Sequence, residues 1–100
     1  MKLGKVLMTK KIASTVSEST TFANEILECM KKYINKDWGC LSEEDKQSNE
    51  EALENSDRIL AAYQTSKGKV WIITEWDRSY TTILFSEEYY NIFQGFSWNM

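Results

Sequence analysis

Residues Val70 to Tyr89, VWIITEWDRSYTTILFSEEY, decide the fold. Val70–Trp76 and Tyr80–Phe85 are dense in β-branched and aromatic residues, the side chains that suit a pleated, half-buried surface. Asp77-Arg78-Ser79 between them has turn chemistry. Two such runs around so short a connection predict an antiparallel hairpin. Its polar residues, Thr74, Glu75, Asp77, Arg78, Thr81 and Thr82, gather where the strands meet the turn.

A third strand precedes the pair. Arg58–Gln64 leads through Thr65-Ser66-Lys67-Gly68 into Val70–Trp76, so the three form an antiparallel meander. If Trp76 pairs with Tyr80, Thr74 faces Thr82, Ile72 faces Leu84, and on the other side Trp71 sits by Phe85 and Ile73 by Ile83. The first hairpin then sets Ala62 beside Trp71, a small residue next to a large one. Both faces of the central strand are apolar, whereas an antiparallel sheet commonly leaves one face wet. Either helices cover both faces, or another chain covers one; the second option predicts a homodimer.

Upstream, Leu3 to Met8 predicts a short strand, and Thr9 to Thr15 fits neither template. Phe22, Ile26, Leu27, Met30, Tyr33 and Ile34 recur at helical spacing. Ser19, Thr20 and Thr21 offer N-caps, and Lys31, Lys32 and Lys36 suit the negative end of the helix dipole. This helix should stop before Asp37-Trp38-Gly39. A second begins at Ser42, whose Ser42-Glu43-Glu44-Asp45 run is a capping-box variant, and extends to about Glu54. It is nearly all polar; Asp45 and Asn49 share a face with Ala52 and Leu53 and must find partners if that face docks.

The expectation is one α+β domain over residues 1–100, a meander of three to four strands packed against two helices. There is no proline, repeat or linker, and 100 residues suit a single modest core. Apolar residues are 42% of the chain and none run near twenty, so no transmembrane helix is expected. Charge lies within the apolar stretch of MKLGKVLMTKKIAST, which does not read as a signal peptide; a cytoplasmic setting with reduced thiols follows. The final stretch, Tyr89 to Met100, is aromatic and reads either as a segment packed on the sheet or as an exposed anchor for a partner.

The missing residue types narrow the chemistry. There is no histidine, hence no ordinary general base near neutral pH, no triad base and no imidazole ligand. Cys29 and Cys40 therefore lack a thiolate-forming partner; Cys29 falls among the core positions of its helix, and Cys40 in a loop. Glu75 and Asp77 could work as paired carboxylates, although Arg78 beside them would keep both ionised. The plainer reading is a hairpin tip where Asp77 caps its own turn and Arg78 is a surface ion-pair partner. Asp45, Glu75 and Asp77 offer oxygen ligands for a hard cation, but in no recognised loop spacing. Residues 1–36 hold seven lysines and three glutamates, and residues 37–100 hold five basic and twelve acidic residues. That polarity could steer a charged partner. With no RNP, zinc-finger or phosphate-loop motif, direct nucleic-acid binding is not expected.

Asp37-Trp38-Gly39, Glu44-Asp45, Asn49, Arg58-Ile59-Leu60, Ala62-Tyr63, Trp71-Ile72-Ile73-Thr74-Glu75, Asp77-Arg78-Ser79, Thr81-Thr82 and Glu88-Tyr89 follow one pattern. It resembles a widespread family of small bacterial proteins often encoded on plasmids and phages. The resemblance spans about Asp37 to Tyr89. It departs at Asn55-Ser56, where the family has glycine, and at Ser86, where it has proline. It implies a mobile-element context and no particular reaction. Together with the small size and sparse catalytic groups, it leads to the expectation of a non-enzymatic protein-binding module, in its sharpest form an inhibitor of a host DNA-defence system such as CRISPR or restriction. The candidate binding residues are Trp38, Asp45, Asn49, Glu75, Asp77, Arg78 and Thr82, with no cofactor. The alternatives are a metal- or nucleotide-dependent enzyme built on the hairpin-tip cluster, and a purely structural role for that cluster.

Overall fold

In the computed structural model, which describes residues 1–89, the chain is α+β: three helices and a four-stranded mixed sheet. The order is β1 (Lys5–Met8), α1 (Lys10–Glu18), α2 (Thr20–Ile34), α3 (Glu43–Asn55), β2 (Ile59–Thr65), β3 (Gly68–Thr74) and β4 (Tyr80–Phe85), then a short 3-10 turn at Ser86–Glu88. In space the strands run β1-β4-β3-β2. The β2-β3-β4 meander is antiparallel as expected, but β1 lies parallel to β4.

The additional helix, α1, occupies the stretch that fits neither template. Only Ile12 and Val16, one turn apart, turn inward, so the apolar signal is two residues wide. Local hydrogen bonds complete it: the Thr9 hydroxyl accepts from the Ile12 amide at 3.2 Å. Ser19 ends α1 and caps α2, accepting from the Phe22 amide at 3.1 Å. In α2 the buried stripe is Phe22, Ile26, Cys29 and Tyr33. Leu27 and Ile34, expected on that face, are 62% and 51% exposed, because α2 meets the sheet along one narrow line. The left-handed turn after α2 falls on Lys36, with φ of 63°, ahead of Gly39. Gly39 has a separate reason to be glycine: its backbone bridges to Ala62, and a Cβ there would sit 2.0 Å from the Ala62 carbonyl oxygen.

Ala62 pairs with Trp71 as expected. The β3–β4 register is one residue away from the expected one: Thr74 faces Thr81, Ile73 faces Thr82, Ile72 faces Ile83 and Trp71 faces Leu84. The cause is Trp76, which leaves the strand and joins the turn. Glu75 donates its amide to the Tyr80 carbonyl at 3.1 Å and accepts the Arg78 amide at 2.9 Å, and Arg78 takes a φ of 59°. A one-residue slip exchanges the faces of β4. Thr81, Ile83 and Phe85 therefore join Val70, Ile72 and Thr74 beneath the helices.

The main core lies on that helix face, where Ile12, Phe22, Ile26, Tyr33, Trp38 and Ala52 meet Ile59, Ala61, Tyr63, Val70, Ile72, Ile83 and Phe85. Phe22 stacks on Phe85 with ring centroids 5.6 Å apart; such a pair adds about 0.5–1.5 kcal/mol beyond the area it buries. The far face is also dry within this one chain. Ile73 and Leu84 are fully buried, with Leu60, Trp71 and Tyr89 packed against them. Among the described residues no helix side chain joins this cluster, so the expected cover of both faces by helices is not what packs here. The 3-10 turn brings Tyr89 edge-on to Trp71, centroids 5.0 Å apart. Residues 90–100 of the aromatic tail lie outside the described residues.

Candidate functional site

The seven sequence candidates fall in different parts of the fold. At the β3–β4 turn, Asp77 caps its own loop: its carboxylate accepts from the Ser79 hydroxyl at 2.6 Å and the Ser79 amide at 3.0 Å. The hydroxyl and amide hold its carboxyl below the usual range. Arg78 is not a surface ion-pair partner. Its guanidinium donates to the carbonyls of Asp57 (2.7 Å), Glu75 (3.0 Å) and Ala52 (3.0 Å). A planar fork of five donors can serve divergent carbonyls that an ammonium cannot. Because Ala52 lies in the last turn of α3, the cation also sits at the negative end of that helix.

Asn49 and Trp38 occupy the outer edge of β2. The Asn49 amide donates to the Leu60 carbonyl (2.7 Å) and accepts the Leu60 amide (3.2 Å), imitating a strand partner. One step along, Ala62 donates to Trp38 O (3.3 Å) and accepts from Cys40 N (2.7 Å). The Trp38 indole donates to Glu50 at 2.8 Å and stands edge-on to Tyr33. The docked face of α3 thus gives Asn49 the partner it needs, while Asp45 stays exposed.

Glu75 is buried on the far face, where its Oε1 lies 3.5 Å from Arg58 Nε; Arg58 also donates to the Tyr89 hydroxyl at 3.3 Å. Glu75 Oε2 is buried with no hydrogen-bond partner among the described residues. Its ion-pair partner is therefore Arg58, just before β2, and not Arg78. That pairing was available from the sequence: the register that sets Ala62 beside Trp71 also sets position 58 opposite position 75. Thr82 lies half-buried on the same face, between Ile73 and Leu7.

Asp45, Glu75 and Asp77 do not converge, and among the described residues no group of three or more acids and cysteines could hold a metal ion. A groove of about 640 Å³ does open between the start of α3 and the far face, lined by Asp45, Asn49, Arg58, Leu60, Lys69 and Trp71, with Cys40 at its rim. Cys29, in contrast, is buried in the core, and burial pushes its thiol up to about 11.

The sheet's other edge is the feature that the sequence candidates omit. Val6, Leu7 and Met8 of β1 are 48%, 45% and 46% exposed. The Lys5 and Thr9 amides donate to Ser79 and Ile83 of the sheet, each at 3.1 Å, so the odd-numbered residues bond inward. In a parallel pair that alternation turns the amides and carbonyls of Val6 and Met8 outward. A four-residue strand that starts on a lysine gives a weak sequence signal, and nothing in its composition says that it lies at an edge.

No family model, curated protein or solved structure matches this chain.

Proposed function

We propose that this protein is a small non-enzymatic protein-binding module that docks its partner along β1. The asymmetry between the two sheet edges carries the reading. At β2, the Asn49 amide and the Trp38–Cys40 backbone occupy the outward groups of Leu60 and Ala62. At β1, exposed apolar side chains flank outward-facing backbone groups. Folded proteins generally blunt such edges, since an open one is a template for pairing with another chain. The mobile-element resemblance makes host or rival proteins the first partners to test, components of CRISPR or restriction systems among them.

The test is site-specific photo-cross-linking in cells. A cross-linker at Leu7 should give a discrete adduct that the same group at Glu51, on the exposed side of α3, does not give, and Val6→Pro should abolish it. Equal, diffuse adducts from both positions would refute the assignment.

The groove beside Trp71 carries a second reading, a nucleotide-dependent activity, because its lining brings together an indole and two cations, Arg58 and Lys69. Thermal stabilisation by a magnesium–nucleotide complex, lost in Trp71→Ala and Lys69→Ala, would support it; no shift in melting temperature across nucleotides and divalent ions would dismiss it.

A further inference from the structure

We infer that β1 accepts, as an added strand, an extended segment of a partner protein with an apolar centre and acidic flanks. This inference rests on the protein-binding reading and specifies its partner's chemistry. Three observations carry it.

The edge is ordered before anything docks. At one end, the Leu3 carbonyl accepts from the Thr81 hydroxyl at 2.7 Å and the Lys5 amide donates to Ser79. There Gly4, with φ of 65°, passes so close to the β3–β4 turn that a Cβ would lie 2.3 Å from Ser79 O. At the other end, Thr9 donates its amide to Ile83 and its hydroxyl to Glu88 at 3.0 Å. An edge held at both ends loses little freedom on pairing, which lowers the entropic cost of association.

The edge is also amphiphilic in the way that an added strand needs. Val6 and Met8 project on the helix side and Leu7 on the far side, so an incoming strand gains backbone hydrogen bonds along its length and apolar contact on both faces.

Charge then selects the occupant. The first seventeen residues hold Lys2, Lys5, Lys10 and Lys11 and no acid. Among the described residues Lys2, Lys5 and Lys10 form no ion pair. The nearby carboxylates are already engaged, Glu87 by Lys11 at 2.7 Å and Glu88 by Thr9 and the Phe85 amide. A second copy pairing antiparallel through its own β1 would bring the Lys2–Lys5 end of one chain alongside the Lys10–Lys11 end of the other, which repels. Head-to-tail stacking of β1 on β2 is blocked by Asn49 and Gly39. Acidic flanks are what complement this edge.

The probe is a short peptide of alternating valine and threonine with glutamates at both ends, compared with the same centre flanked by lysines. The acid-flanked peptide should bind about tenfold more tightly at low salt, with the gap closing as salt rises, and should slow hydrogen exchange of the Val6 and Met8 amides. The double substitution Lys5→Glu, Lys10→Glu lies on exposed positions and should reverse the preference; Val6→Pro removes one outward amide and should weaken both peptides. Equal affinity for the two peptides, protection centred elsewhere, or protection of Val6 and Met8 that grows with protein concentration alone would overturn the inference. A position-7 cross-link without flank preference would overturn it while leaving the protein-binding reading intact. Peptide preference without a cellular cross-link would overturn the protein-binding reading and the inference with it, leaving only a charge-selective edge.

Discussion

The Thr81 hydroxyl donates to the carbonyl of Leu3 at 2.7 Å, joining the N-terminal segment to β4. That bond sets the direction of a buried chain. Thr81 lies 2.8 Å from the Thr74 hydroxyl, and Thr74 lies 2.6 Å from the Tyr33 hydroxyl. A carbonyl can only accept, so Thr81 spends its single proton on Leu3. Thr74 must then donate to Thr81, and Tyr33 to Thr74. Tyr33, Thr74 and Thr81 are all fully buried, and the relay ties α2 through β3 and β4 to the segment that enters β1.

Direction makes the members unequal. Thr81→Val leaves the Leu3 carbonyl without its donor and the Thr74 hydroxyl without its acceptor, and should cost about 1–3 kcal/mol. Tyr33→Phe removes only the terminal donor and should cost about 0.5–1.5 kcal/mol. Urea unfolding of the two variants checks the order; equal losses would show that the relay does not run this way.

The same relay sets an alkaline limit. Burial pushes the Tyr33 phenol up to about 12, and burial also raises Tyr63. Above about pH 10 the unfolded chain sheds these protons while the folded chain keeps them. Stability is therefore complete below that pH and declines as pH rises towards 12. Unfolding midpoints between neutral pH and pH 11 should fall for the wild type and fall less for Tyr33→Phe.

Arg78 should behave as a structural clamp. Arg78→Lys keeps the charge but cannot reach three carbonyls in different directions, and we expect a loss of about 1–3 kcal/mol. Chemical denaturation measures it. An Arg78→Lys protein as stable as wild type would mean that the carbonyls of Ala52, Asp57 and Glu75 are met by solvent instead.

Ser56 offers the opposite case. It ends α3 in a left-handed conformation, φ 57° and ψ 47°, where a side chain costs roughly 1 kcal/mol and glycine does not. Ser56→Gly loosens the unfolded chain as well, which offsets part of the gain. A net rise of a few tenths of a kcal/mol, about 1 kcal/mol at most, should appear as a higher melting temperature.

The two thiols should separate cleanly. Cys40 is exposed and Cys29 is buried with its acidity suppressed. Near pH 8, Ellman's reagent should titrate one thiol per native chain at once, and the second only on addition of denaturant. Rapid reaction of both in native buffer would contradict the burial of Cys29 on the inner face of α2.

Some of this was legible without coordinates because it depends on local periodicity. The β-rich runs Arg58–Gln64 and Val70–Thr74, the stripe Phe22-Ile26-Tyr33, the Ser42 cap and the burial of Asn49 on the docked side of α3 follow from local composition and from which residues recur at helical spacing. The α+β class and the first hairpin's register follow from the same source. Asp77 capping its own turn is equally local.

Tertiary structure decided the rest, because competing local solutions differ by less energy than the contacts that choose between them. Whether Trp76 belongs to the strand or to the turn is close to neutral along the chain, yet it selects which face of β4 meets the helices, and only the buried Thr74–Thr81 pair and its neighbours resolve it. Two inward residues could not declare α1 until β4 stood beneath them. Arg78 could not be recognised as the end-cap of α3, a helix more than twenty positions earlier, until the fold brought the two together. The open edge at β1 exists only because that strand joins the sheet parallel to β4 and on the outside. Residue order along the chain determined what each segment could become; long-range packing alone determined which surfaces were left to meet another molecule.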